Sequence, residues 1–264
     1  MSKFSKKMKK KYEETSKKSI VIYLILRILV IVSMVFQIIL GNTSNVAMCI
    51  LALILFTIPT FISEKFKIGI PSLLEAIIYL FIYATAILGE INNFYGIIPF
   101  WDTLLHTLNG FICAGIGFSL VDILNQNSKS IKLSPMYIAI VAFCFSMTIG
   151  ILWEFYEFSA DNILNIDMQK DRIVQNISTV ELNPDGENSP IKINDIEKTE
   201  IHSKDGSITI IDNGYLDIGL IDTMKDLFVN FIGAFIFSII GFLYIKNREK
   251  YKFVQSFIPT KNKI

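Results

Sequence analysis

The sequence predicts an all-α polytopic membrane protein with six transmembrane helices, both termini cytoplasmic, and a small β-rich extracytoplasmic insertion. Three observations carry that prediction. The composition is 52% hydrophobic with 21 Phe and a mean hydropathy of +0.49, too apolar for an ordinary soluble surface. Six apolar stretches, at about 20–40, 46–62, 71–89, 103–125, 136–158 and 224–245, have the length of roughly 20 residues that a helix needs to cross hydrocarbon. Lysines cluster before the first stretch and after the second, fourth and sixth, so an even number of spans returns both ends to one side.

Each element follows in order. Residues 1–18 form a basic tail holding Lys3, Lys6, Lys7, Lys9, Lys10, Lys11, Lys17 and Lys18. The apolar run after it is too long for a signal peptide and lacks a small-x-small cleavage pattern, so it reads as a membrane anchor. Residues 19–160 hold helices one to five. Lys65 and Lys67 follow the second, and Lys129 and Lys132 the fourth, whereas Gly41–Asn45 carries no charge and Glu90–Trp101 no base. The positive-inside bias therefore keeps both termini on the cytoplasmic side and faces residues 161–221 outward. The sixth helix occupies 222–246, and 247–264 is a second basic tail with Lys246, Arg248, Lys250 and Lys252 around its start. Cys49, Cys113 and Cys144 all sit in apolar runs without CxxC spacing, which argues for packing rather than disulfides or thiolate metal ligation. The formal charge of +1 gives no bulk excess for nucleic acid.

Within the insertion, Thr199-Glu-Ile-His and Ser207-Ile-Thr-Ile alternate around the turn Ser203-Lys-Asp-Gly and predict a β-hairpin. Asn183-Pro-Asp-Gly and Asp212-Asn-Gly supply two further turns. His202, on that hairpin, reads as a surface residue.

Charged groups inside a membrane are costly, about 2.5–3.5 kcal/mol at a helix centre on the insertion scale, and the chain concentrates them on three helices. Asp102, His106 and Asn109 are spaced i, i+4, i+7, which aligns them on one face of the fourth helix. Glu154, Glu157 and Asp161 form a stripe at the end of the fifth, continued inward by Gly150. Asp222, Asp226 and Asn230 open the sixth, followed on the same side by Gly233. With the inferred topology, all three stripes fall on the outer side, and Glu90 at the end of the third helix lies at the same level. Crowded carboxylates either hold protons or bind cations. Oxygen donors with one imidazole suit Mg²⁺, Mn²⁺, Zn²⁺ or Fe²⁺. The metal set expected is Asp102, His106, Glu154, Glu157, Asp161, Asp222 and Asp226, with Glu90, Asn109 and Asn230 around it. His106 or Glu157 serves as general base, and the expected partners are membrane lipid and a lipid-linked phosphate.

Two other readings stay open. The same carboxylates would serve a transporter or ion-binding protein. In a structural or interaction protein, they would instead cap helix ends and pair with Lys170, Arg172 and Lys225. Elsewhere, Arg27 is expected to snorkel or to pair with Glu75, and Asp122 to be a solvated charge beside Lys129 and Lys132.

These residues carry a family resemblance. Phe100-Trp-Asp-Thr-Leu-Leu-His106 with Gly110, Trp153-Glu-Phe-Tyr-Glu-Phe158 with Asp161, Asp167-Met-Gln-Lys-Asp171, and Asp222-Thr-Met-Lys-Asp226 with Asn230 and Gly233 span about 90–245. In that order they resemble the YjdF-type family of bacterial inner-membrane proteins and, more distantly, the VanZ-like membrane proteins linked to glycopeptide resistance. The resemblance implies a polytopic membrane fold and agrees on which residues matter; it brings no settled reaction. The chain departs from the pattern in a longer polar insertion, about 174–215, and in Thr103 where VanZ-like chains often carry Lys.

Overall fold

The computed structural model describes residues 3–66, 68–128, 130 and 132–261; Lys67 and Lys129, two of the lysines used for orientation, lie outside them. Six helical stretches among the described residues are long and apolar enough to cross a membrane: Ser19–Ile39, Thr43–Lys65, Ser72–Ile91, Trp101–Asn127, Pro135–Leu164 and Leu220–Lys246. Two units divide the chain, one of residues 1–150 and 228–264 and the other of residues 151–227.

In the first unit, α1 (Lys3–Ile39) stops at Gly41, whose φ of 72° only a residue without Cβ adopts freely, and Asn42 caps α2 (Thr43–Leu55) by accepting the Asn45 N–H. The second span is broken at Phe56–Thr57 before α3 (Ile58–Phe66), because Pro59 has no N–H to give to the carbonyl of Leu55. The third span starts as α4 (Ser72–Tyr83) and widens into a π-helix over Ala84–Ile91. Wider turns of this kind are uncommon, and no Gly or Pro pattern before Gly89 signals this one. A short helix α5 (Phe94–Ile97) leads to α6 (Trp101–Asn127). Ser134 accepts the Tyr137 N–H to open α7 (Pro135–Leu164), with Pro135 in the first turn, where a missing N–H costs nothing. The last span is α8 (Leu220–Lys246).

Two apolar clusters hold this unit together. Leu26 and Val30 of α1 pack with Cys49, Ala52 and Phe56 and with Tyr79, Ile82 and Ile87, joining the first three spans. Ala114 and Phe118 of α6 pack with Ile138 and Ala142 of α7 and with Ala234, Phe237 and Tyr244 of α8. The C-terminal segment adds Val254 and Ile258 to the second cluster, and its strand Thr260–Lys261 pairs antiparallel with Ile68–Gly69. Outside both clusters, large apolar side chains such as Phe36, Leu124 and Phe228 are exposed, the arrangement expected where the surrounding solvent is lipid. All three cysteines are free.

Two polar expectations are corrected here. Asp122 is buried rather than solvated, and both its carboxylate oxygens accept from the Arg248 guanidinium, at 2.6 and 3.0 Å. Arg248 lies 126 residues away in sequence, so local charge patterning points to the lysines instead. Arg27 turns to its own helix, donating to the Tyr23 hydroxyl and lying over that ring, while Glu75 accepts from Ser19 and Tyr79. Arg27 is two helical turns beyond Ser19, which places Ser19 rather than Arg27 at the level of Glu75.

The second unit carries the end of α7, the start of α8 and a set of short antiparallel ribbons. Arg172–Val174 pairs with Tyr215–Asp217, Ile177–Thr179 with Ile191–Ile193, and Lys198–His202 with Ile208–Asp212. The last is the hairpin expected from alternation: Gly206 (φ 87°) makes its turn, and Asp205 accepts both the backbone N–H and the hydroxyl of Ser207. Those bonds hold the Asp205 carboxyl below its ordinary value. Gly186 and Asn213, both with positive φ, make the other two turns. His202 is exposed.

Candidate functional site

In the first unit, Asp102 lies in the opening turn of α6, where a carboxylate is favoured by the helix dipole. Four residues later, His106 directs Nε2 to Asp102 Oδ1 at 3.4 Å, and both side chains are largely covered. One turn deeper, Asn109 Nδ2 donates to Asn230 Oδ1 of α8 at 3.2 Å, and Asn230 Nδ2 faces the Met147 sulfur of α7 at 3.7 Å. The helices α6, α7 and α8 therefore meet at the level of Asn109, Met147 and Asn230.

Glycines make that meeting possible. A Cβ on Gly110 would stand 2.1 Å from the Asn230 carbonyl oxygen, and one on Gly233 would stand 2.0 Å from the Thr107 carbonyl oxygen. α6 and α8 thus touch backbone to backbone, in the small-residue manner of membrane helices. Gly150 of α7 leaves room for the Asn230 amide, which a Cβ would approach to 2.6 Å. Ser146, fully buried on α7, donates to the Gly110 carbonyl at 2.7 Å. Glu90 ends the π-helix with an exposed side chain.

The second unit is strongly acidic, with sixteen Asp and Glu against six Lys and Arg between 151 and 227. Glu154 and Glu157 of α7 and Asp222 and Asp226 of α8 are only 1–7% exposed. Their partners distinguish them. Asp161 accepts the backbone N–H groups of Met168 and Gln169, one on each oxygen, at 2.6 and 2.8 Å. Asp222 accepts the Lys170 N–H at 3.0 Å and pairs with Arg172 at 3.1 Å. The Gln169 amide donates to the Thr223 hydroxyl. Segment 167–172 is thereby fastened to the end of α7 and to the start of α8. Asp217 accepts the Ile221 N–H and caps α8. Glu157 accepts the Trp153 indole N–H at 2.7 Å, and Lys225 lies 3.8 Å from Asp226.

This clasp is what sequence reasoning missed. Asp167-Met-Gln-Lys-Asp171 stood out as a motif, but its backbone N–H groups are the partners, and backbone donors leave no compositional signal. Asp171, at its end, has its carboxyl held above the ordinary value of 3.8 by loss of solvent and by the carboxylates of Asp167, Asp161 and Asp217.

Comparison with known proteins agrees with the membrane reading. An uncharacterized protein of Thermotoga maritima is 32% identical over 83 residues, covering 31% of this chain and 41% of that relative. The chain thus spans less than half of the relative's length. No solved structure matches. A family model described as "Predicted membrane protein (DUF2238)" matches residues 21–247, the six spans and the insertion together, and the chain belongs to that family.

Proposed function

We propose that this chain is a multi-pass protein of the bacterial cytoplasmic membrane, with its termini inside and its insertion outside, that holds a divalent cation on outer-facing carboxylates and acts on a lipid-linked phosphate. The resemblance of its motif order to YjdF-type proteins supports an envelope role. The observation that carries the reading is the burial of Glu154, Glu157, Asp222 and Asp226 on two membrane-spanning helices within a unit holding sixteen acids and six bases. Like charges so placed raise one another's energy, and a cation relieves it. The surplus negative field also draws cations toward the unit.

Glu154, Glu157 and Asp226, buried carboxylates of this acidic unit, are the groups that draw the cation. Oxygen donors of this kind suit Mg²⁺ or Mn²⁺, and an imidazole widens the choice to Zn²⁺ or Fe²⁺. The Asp102–His106 pair of the first unit is a second donor group, tested by its own variant. A bound cation supplies charge neutralisation at the phosphoryl oxygens. Glu157, oriented by the Trp153 indole, takes a proton from the attacking water as the new O–P bond forms. That proton passes to the leaving oxygen, the bridging oxygen in the case of a diphosphate, as the old P–O bond breaks.

Elemental mass spectrometry on the detergent-purified full chain tests the proposal, after repletion with each of the four ions. Near-stoichiometric ion in the wild type, reduced at least ten-fold in Glu154→Gln and Glu157→Gln, is the expected result. His106→Ala reports on the second donor group. No retained ion in the wild type overturns the reading and leaves the acids to their structural bonds. With the ion established, release of phosphate from a polyisoprenyl diphosphate that stops on chelation is the expected activity.

A further inference from the structure

The first unit contains a second polar feature, away from the acidic stripes. Ser19, Ile20, Tyr23 and Leu24 of α1, Thr60 of α3, and Glu75 and Tyr79 of α4 line a cavity of about 240 Å³. Its chemistry centres on Glu75. One carboxylate oxygen accepts from Ser19, the other from the Tyr79 hydroxyl at 3.0 Å, and Thr60 in turn is hydrogen-bonded to Tyr79. Among the described residues no lysine or arginine pairs with Glu75, because Arg27 is engaged with Tyr23. Served by neutral hydroxyls among the described residues, the Glu75 carboxylate lines the cavity with lone pairs to spare.

The walls favour a particular kind of cation. Tyr23 and Tyr79 stand with ring centroids 5.0 Å apart and planes at 49°, and both line the cavity together with Glu75. Aromatic faces beside a carboxylate attract organic ammonium groups more than hydrated metal ions. Three hydroxyls and a carboxylate match the three N–H donors of a primary ammonium. The volume lies below the ~300–1,000 Å³ of pockets for drug-sized ligands, which restricts the guest to a small headgroup.

Depth and access point the same way. Ser19 is the first residue of its span, Glu75 lies in the opening turn of α4, and Thr60 is near the end of the second span, so the cavity sits at headgroup depth. Ile20 and Leu24 are about half exposed and Thr60 is exposed, which leaves the cavity open toward the lipid-facing surface of α1 and α3.

We propose that this cavity binds a primary ammonium group, with Glu75 as counter-ion and the Tyr23 and Tyr79 rings as its walls. The group would be carried by an aminophospholipid headgroup or by a small free amine. The test uses the full chain in phosphatidylcholine nanodiscs, with or without phosphatidylethanolamine, and separately in detergent with ethylammonium chloride against matched sodium chloride. Native mass spectrometry reads retained lipid, and the thermal unfolding midpoint reads the free amine. Wild type is expected to retain phosphatidylethanolamine over phosphatidylcholine or to be stabilised by ethylammonium. The first result identifies a lipid guest and the second a free amine. Glu75→Gln, which keeps the hydrogen-bonding shape and removes the charge, is expected to weaken either response at least ten-fold. Ile20→Trp fills the cavity from a lipid-facing position, leaves Glu75 intact, and is expected to have the same effect, so the test stands even if Glu75→Gln does not fold. Neither response in wild type, or equal responses in wild type and Ile20→Trp, overturns the proposal.

Discussion

Asn109 of α6 and Asn230 of α8 are joined side chain to side chain across the bundle, 121 residues apart in sequence and 3.2 Å apart in space. Asn230 is 1% exposed, so its amide has exchanged water for this bond and for the Met147 sulfur. Replacing Asn109 by Leu strands a buried amide on Asn230 and is expected to destabilise the protein by about 1–3 kcal/mol. Thermal unfolding of purified variants checks this, and Asn109→Asp should not rescue it, because a carboxylate has no N–H to donate to Asn230 Oδ1.

Gly110 and Gly233 leave no room for a methyl group. Gly110→Ala or Gly233→Ala would press Cβ onto a backbone carbonyl of the facing helix, and backbone cannot rotate away as a side chain can. A loss of at least ~1–3 kcal/mol follows, the range of ordinary overpacking. Gly41→Ala, in open space, should cost about 1 kcal/mol through its positive φ alone. Detergent stability of the three variants side by side checks the order.

The Asp122–Arg248 pair is expected to behave asymmetrically. Arg248→Ala leaves a buried carboxylate without its cation and should cost about 2 kcal/mol, less than the ~3–5 kcal/mol of fully buried pairs because Arg248 is a third exposed. The double variant Asp122→Leu with Arg248→Met should recover much of that loss, as a double-mutant cycle on the unfolding midpoint will read.

Asp161→Ala removes both acceptors of the Met168 and Gln169 N–H groups and should loosen segment 167–172 without disturbing the spans. The expected signature is faster proteolysis within 162–219 at unchanged helix content by circular dichroism. Cleavage at the wild-type rate would show that Asp222 and Arg172 hold the segment unaided.

Asp171 gives a pH dependence of defined sign. Its folded carboxyl titrates above 3.8, so the unfolded chain ionises first as pH rises, and stability falls across the window between the two values. Asp171→Asn removes that loss. The difference in unfolding midpoint between Asp171→Asn and wild type should therefore be near zero below that window, grow across it and stay level above it, while changes common to both cancel.

The six spans were legible from the sequence to within a few residues because crossing hydrocarbon demands a long apolar helix whatever its neighbours do. The Lys198–Asp212 hairpin was legible because alternation and a Gly-containing turn are local properties. The stripes on α6, α7 and α8 were also visible, since helical periodicity fixes which residues share a face. Whether those faces meet is decided elsewhere. The Gly110 and Gly233 contacts, the Asn109–Asn230 bond, the ion pair of Asp122 with Arg248, and the turn of Glu75 toward Ser19 instead of Arg27 all depend on helix rotation and offset. Those are set by packing between segments far apart in the chain, and one sequence read along its length contains no term for them. The sequence by itself determined how many helices cross and which of their faces are polar; the tertiary structure decided which of those polar groups meet.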